Sequence, residues 1–113
     1  MSAGDAVIRE LEADRDAAER EEKDAEAAFE AAHAATLAVE VAFQADPSVP
    51  LANKLADARE AESHVAMVLA VKRATADQRR REVADAIASR EADREGDRGA
   101  SAPGGLGRRT ASP

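Results

Sequence analysis

The chain has no cysteine, no tryptophan and no tyrosine, and its aromatic content is two phenylalanines. Without cysteine it can form neither a disulfide nor a thiolate metal site. Without the large aromatics that usually dominate a core, its packing is built from alanine and a few aliphatics. Glycine and proline are absent from residues 5–46 and from residues 51–95, so neither stretch contains a helix breaker. No apolar run approaches the roughly 20 residues of a membrane-spanning helix. The opening Met1-Ser2-Ala3-Gly4-Asp5 lacks the basic-then-apolar order of a signal peptide. Positive charge is in deficit: 16 Lys and Arg stand against 23 Asp and Glu, for a net charge of -7. That balance argues against general binding to nucleic acid or to an anionic membrane.

What the chain does have is a 3-4 rhythm broken once, at Asp46-Pro47-Ser48-Val49-Pro50. Before the break it passes through Ile8, Leu11, Arg15, Ala18, Glu22, Ala25, Phe29, Ala32, Thr36, Val39 and Phe43. After it come Leu51, Leu55, Ala58, Glu62, Val65, Leu69, Lys72, Ala76, Arg79, Val83 and Ala86. Alternating spacings of this kind are a heptad repeat, and two such helices joined by a short connection fold back as antiparallel neighbours. The predicted fold is all-α: one long, coiled-coil-like antiparallel two-helix hairpin over residues 1–95. Helix one runs over about 4–45, the tip over 46–50 and helix two over about 50–95. Ser2, with Asp5 three residues on, suits an N-cap. Asp46 precedes a proline and is driven out of the helical region. Pro50 is tolerated in a first turn, and Gly96 is a natural C-terminal stop. Residues 96–113 hold five of the six glycines and read as an irregular Gly/Pro/Ser tail, flexible or ordered by a partner.

Folding at the tip pairs residues whose numbers sum to about 97. The segment 9–30 then faces the segment of about 68–90. The first carries ten acidic residues, among them Glu19, Glu21 and Glu22, and the second carries Lys72, Arg73, Arg79, Arg80, Arg81 and Arg90. Opposite signs across the hairpin favour this register over others. Glu22 and Arg79, both on the seam, are expected to share a partly buried ionic layer. The tip half is different. Leu37 and Val41 lie almost opposite the seam of helix one, and Met67 and Val71 point away from the seam of helix two. A two-helix rod cannot bury both sides, so these four residues are expected to be an association face.

The chemistry-bearing residues are few. Of the two histidines, His33 follows Glu30 by three positions and His64 follows Glu60 by four, with Glu62 close by. The two histidines should lie at one level of the rod. A Glu-x-x-His pair with further carboxylates is how helical bundles hold di-iron sites. In outline this is similar to encapsulated ferritins, helical hairpins that pair through metal. The resemblance covers residues 25–70 and implies Glu30, His33 and one of Glu60 or Glu62 as ligands, with His64 beside them. Helix two lacks a matching Glu-x-x-His, however, and a helical wheel turns both histidines towards outer faces. Solvated or interfacial histidines, with no cofactor, are the preferred reading.

Lys72-Arg73 and Arg79-Arg80-Arg81 have the charge to grip phosphates. They stand beside an acidic helix and lack aromatic partners for base stacking, so intramolecular pairing is the stronger reading. No nucleophile and base fall at an interpretable spacing, and Gly104-Gly105-Leu106-Gly107 follows no strand and opens no helix. A coiled-coil tip resembles the factors that enter the RNA polymerase secondary channel, with Asp46 as its one acidic residue. Secreted hairpins of the type VII pathway match in size, but their Trp-x-Gly turn is missing. Leu106 among glycines, followed by Arg108-Arg109, reads as a short peptide for docking on an acidic partner surface.

These observations point to a non-enzymatic structural or assembly protein acting through helical faces and a C-terminal docking tail. Its style is that of small phage scaffolding or virion accessory proteins. The expected partner is protein, either another copy or a larger assembly, with no nucleic acid, membrane or small-molecule substrate. The expected location is cytoplasmic, or the virion if the chain is phage-encoded. The alternatives are a metal-binding, ferritin-like oligomer and a coiled-coil regulator of transcription.

Overall fold

The structure, a computed structural model, describes the backbone of residues 3–101 and the side chains of residues 3–96. It is an all-α hairpin of two helices, α1 (Ala3–Ala45) and α2 (Val49–Ser101). Ion pairs between them join residues whose numbers add to between 93 and 102, which is the antiparallel register read from the repeat.

The connection follows from its residues. Asp46 N still donates to Ala42 O at 3.1 Å, and Pro47 then has no N–H to continue the ladder. Ser48 caps the next helix: its Oγ accepts from Leu51 N at 3.3 Å, and its carbonyl accepts from Ala52 N at 2.9 Å. Pro50 therefore falls in the first turn, where an N–H would have no intrahelical acceptor.

At the other end α2 runs past Gly96, where a stop was expected, and continues to Ser101. Among the described residues no glycine adopts a positive φ. A glycine cap needs that left-handed turn and a hydrophobic contact after it. Asp97 and Arg98 offer polar side chains instead, so the helix has no reason to turn there. With Ala3 opposite about residue 94, α2 overhangs α1 by about seven residues, or about 10 Å, at the open end.

The buried residues are Ile8, Ala18, Ala25 and Thr36 on α1, and Leu55, Leu69, Ala76 and Val83 on α2. Every one belongs to the 3-4 seam. The Thr36 hydroxyl reaches the Ala32 carbonyl at 3.0 Å and, across the hairpin, the Ala58 carbonyl at 3.3 Å. Ala76 is wholly buried at 0% exposure, while among the described residues no large side chain is. The core is thus one seam thick. The radius of gyration is 25.0 Å, where a compact domain of this length has about 13 Å. The molecule is 82 Å long and 14 Å across its thinnest direction.

Candidate functional site

In an antiparallel pair of heptad helices the positions flanking the seam meet along two edges. On one edge α1 presents Asp5, Glu12, Glu19, Glu26, His33 and Glu40, and α2 presents Arg59, Ala66, Arg73, Arg80, Ile87 and Arg94. On the other, α1 presents Val7, Asp14, Glu21, Ala28, Ala35 and Ala42, and α2 presents Lys54, Ala61, Val68, Thr75, Glu82 and Ser89. The first edge is carboxylate against arginine. The second has a long uncharged stretch around Ala28, Ala35, Ala61 and Val68.

The charged edge is closed by ion pairs. Arg59 donates to Glu40 at 2.9 Å. Arg80 Nε donates to Glu19 at 2.9 Å and its Nη2 to Glu22 at 3.1 Å, while its Nη1 holds Asp77 at 2.6 Å. Arg73 adds a longer contact to Glu22 at 3.8 Å. Glu22, with 17% of its side chain exposed, is the partly buried member expected of an ionic layer, but its partner is Arg80 and not Arg79. Arg79 occupies the seam position leaning towards the opposite edge, where it pairs with Glu82 of its own helix at 3.0 Å. These partners raise both guanidinium pKa values, chiefly through the hydrogen bonds that Arg79 donates to Glu82 and Arg80 donates to Glu19. Lys72 lies across from Glu21 at 2.6 Å and holds that carboxyl below its ordinary 4.5. Lys72, Arg73, Arg79 and Arg80 of the basic cluster are therefore paired with carboxylates of α1 or of α2 itself, and Arg81 is exposed.

His33 interrupts the charged edge, because Ala66 stands where an arginine would be. The ring lies towards the outside, with 53% of the side chain exposed, as the wheel implied. It lies over Phe29, with centroids 6.0 Å apart and planes 12° from parallel, and its Nδ1 is 3.2 Å from Glu62 Oε2. One turn of helix brings Phe29 and His33 together, and Glu62 comes from the seam of α2. Glu62 is held below the usual 4.5, first by the Thr36 hydroxyl and then by His33. A groove of about 530 Å³ opens here between Phe29, His33, Thr36 and Leu37 of α1 and Arg59, Glu62, Ser63 and Ala66 of α2.

Of the five candidate metal ligands, only His33 and Glu62 are brought together. Glu30, Glu60 and His64 are exposed at outer positions. Glu62, not His64, faces His33 across the hairpin. Among the described residues no three His, Asp or Glu side chains are placed to hold an ion.

The four candidate association residues are exposed: Leu37 47%, Val41 66%, Met67 70% and Val71 63%. They do not form one face. Leu37 and Val41 lie on the outer side of α1, and Met67 and Val71 on the outer side of α2. By the pairing register the two patches also sit at levels about 10 residues, or 15 Å, apart. Leu106, Arg108 and Arg109 lie outside the described residues. The alternation of the two edges was open to sequence reading, since Glu19, Glu26 and Glu40, like Arg59, Arg73 and Arg80, fall at multiples of seven.

The geometry defines a helical hairpin with one charged edge and an exposed apolar patch on the outer side of each helix. No family model, curated protein or solved structure matches the chain. Among the described residues no helix is long and apolar enough to cross a membrane.

Proposed function

We propose that this chain is a non-enzymatic assembly protein whose copies pack side by side through the outer backs of their helices. The observation that carries this reading is the pair of exposed apolar patches on opposite sides of one acidic rod. The surroundings favour contact. From Ala31 to Ala45 the only charged residue of α1 is Glu40, and from Ala61 to Val71 the only one of α2 is Glu62; both belong to the hairpin's own pairs. Two copies can therefore meet at these patches without bringing carboxylates together, which a protein of net charge -7 needs. The chain also exposes 8076 Å² where a compact monomer of its mass exposes about 5,900 Å², so it has surface to bury.

Because the patches differ, the contact is heterologous: Leu37 and Val41 of one copy meet Met67 and Val71 of the next. Bringing them to one level requires a stagger of about 15 Å along the rod. Repetition of such a step builds a ring or an open array, the geometry of a scaffolding or virion accessory component. A C-terminal docking peptide would tether the array to a larger body.

The double substitution of Leu37→Asp and Met67→Asp tests this. Light scattering should show the wild type at a multiple of 11.9 kDa and the variant at the single-chain mass, with helical content retained. An unchanged mass distribution would falsify the reading.

A further inference from the structure

The two apolar patches are the ends of longer stripes. On the outer side of α1, Leu37 is preceded at seven-residue steps by Glu30 and Lys23, and Val41 by Ala34 and Ala27. On the outer side of α2, Met67 is followed at the same steps by Ala74 and Arg81, and Val71 by Gln78 and Asp85. A heptad step keeps a residue on one side of its helix in a paired hairpin, so each stripe leads from an apolar patch to charges nearer the open end. Lys23, Glu30, Arg81 and Asp85 are all exposed, and among the described residues no ion pair within the chain involves them. They differ in this from the arginines and carboxylates of the charged edge, which are joined to one another.

We propose that these charges align neighbouring copies: Lys23 of one copy pairs with Asp85 of the next, and Glu30 with Arg81, which fixes the stagger and the polarity of the packing. The inference rests on the packing of copies proposed above and supplies its register. With the rods parallel, α1 of one copy runs antiparallel to α2 of the next. Setting Leu37 opposite Val71 and Val41 opposite Met67 then puts Ala34 opposite Ala74. Two heptads from Leu37 and Val71, about 21 Å along the contact, Lys23 comes opposite Asp85. Arg81 falls opposite Ala27, about 4.5 Å of helical rise from Glu30 and within reach of its long side chain. Asp77, the carboxylate nearest Glu30 in this register, is held by Arg80 of its own helix at 2.6 Å. The stagger of about 15 Å that superposes the apolar patches therefore also brings opposite charges together.

The other arrangements of the same stripes do not. Without a stagger, Leu37 faces Glu60 and Met67 faces Glu30, so that carboxylates lie against apolar side chains and lose water without gaining a partner. With the rods antiparallel, matching Leu37 to Met67 and Val41 to Val71 sets Glu30 opposite Glu60, two like charges. Parallel rods with the stagger avoid both.

Charge exchange between the stripes tests this. Lys23→Glu with Glu30→Lys reverses the α1 stripe, and Arg81→Glu with Asp85→Lys reverses the α2 stripe. Both variants keep the net charge of -7 and all four apolar residues. In sedimentation at low salt, each variant alone should associate about tenfold more weakly than the wild type, with helical content unchanged. Mixing the two variants should restore association to within about threefold of the wild type, because each reversed stripe then meets its complement; the four substitutions in one chain should do the same. Undiminished association of either variant alone, or a mixture no stronger than its parts, would overturn this register and leave packing at the apolar patches standing. A wild type at the single-chain mass at every concentration would overturn both.

Discussion

Leu69 and Val68 are adjacent in sequence and opposite in consequence. Leu69 is on the seam and buried, while Val68 stands on the uncharged edge, partly exposed. Leu69→Ala should cost about 2–5 kcal/mol in urea unfolding, because a seam one residue thick has no second layer to collapse into the cavity. Val68→Ala should stay within about 0.5 kcal/mol in a monomeric background. The carboxylates set the acid limit. Glu21, Glu62 and Glu82 are held below 4.5 by Lys72, by Thr36 and His33, and by Arg79 and Gln78 respectively. A carboxyl lowered on folding contributes stability above its unfolded value and loses it as pH falls through the folded one. The thermal midpoint should therefore decline as pH is taken below about 4.5, and Glu62→Gln should make that decline shallower. Circular dichroism melts across the acid range check both. Leu69's place was legible from the spacing alone. His33's partner was not, because helix phase does not say which residue of the other helix it meets, and that residue is Glu62.

Among the helices, α2 is the less predictable. Its start needed no tertiary information, since Pro47, Ser48 and Pro50 encode the stop, the cap and the first turn in four residues. Its end did. Glycine is a helix stop only when the chain after it can make the capping turn, and the residues after Gly96 do not. Gly96 also has open space around its Cα, with nothing within 4 Å of an added Cβ. Gly96→Ala should thus strengthen the overhang by about 0.5–1 kcal/mol, the ordinary difference between these residues in a helix. Amide exchange near residue 96 would slow severalfold, while global unfolding would barely move, because the overhang opens without the seam. Faster exchange in the variant would mean that the glycine does cap the helix.

The molecule as a whole is a rod with a thin core, two unlike edges and an apolar patch on the outer side of each helix. Under the proposed packing, a thin core and exposed apolar patches would make stability depend on association. If copies pack as proposed, the thermal midpoint should rise with protein concentration, and the rise should vanish in the Leu37→Asp and Met67→Asp variant. A midpoint independent of concentration over two decades would mark the hairpin as stable alone. The candidate site was half legible. Exposure of Leu37, Val41, Met67 and Val71 followed from heptad phase. Their separation into two patches did not, because phase places a residue around its own helix and says nothing of which level of the neighbour it meets.

That distinction runs through the protein. Helix content, the single break, the buried seam and the antiparallel return are properties of local spacing and of a short proline-bounded connection. A reader of the residues alone reaches them. The choice of Arg80 over Arg79 for Glu22, the pairing of His33 with Glu62, and the offset of the apolar patches depend on the relative rotation and axial shift of two helices. Those two quantities are set only when both seams interlock, because alanine at Ala18, Ala25 and Ala76 lets the backbones approach closely and decides which flanking side chains come within reach.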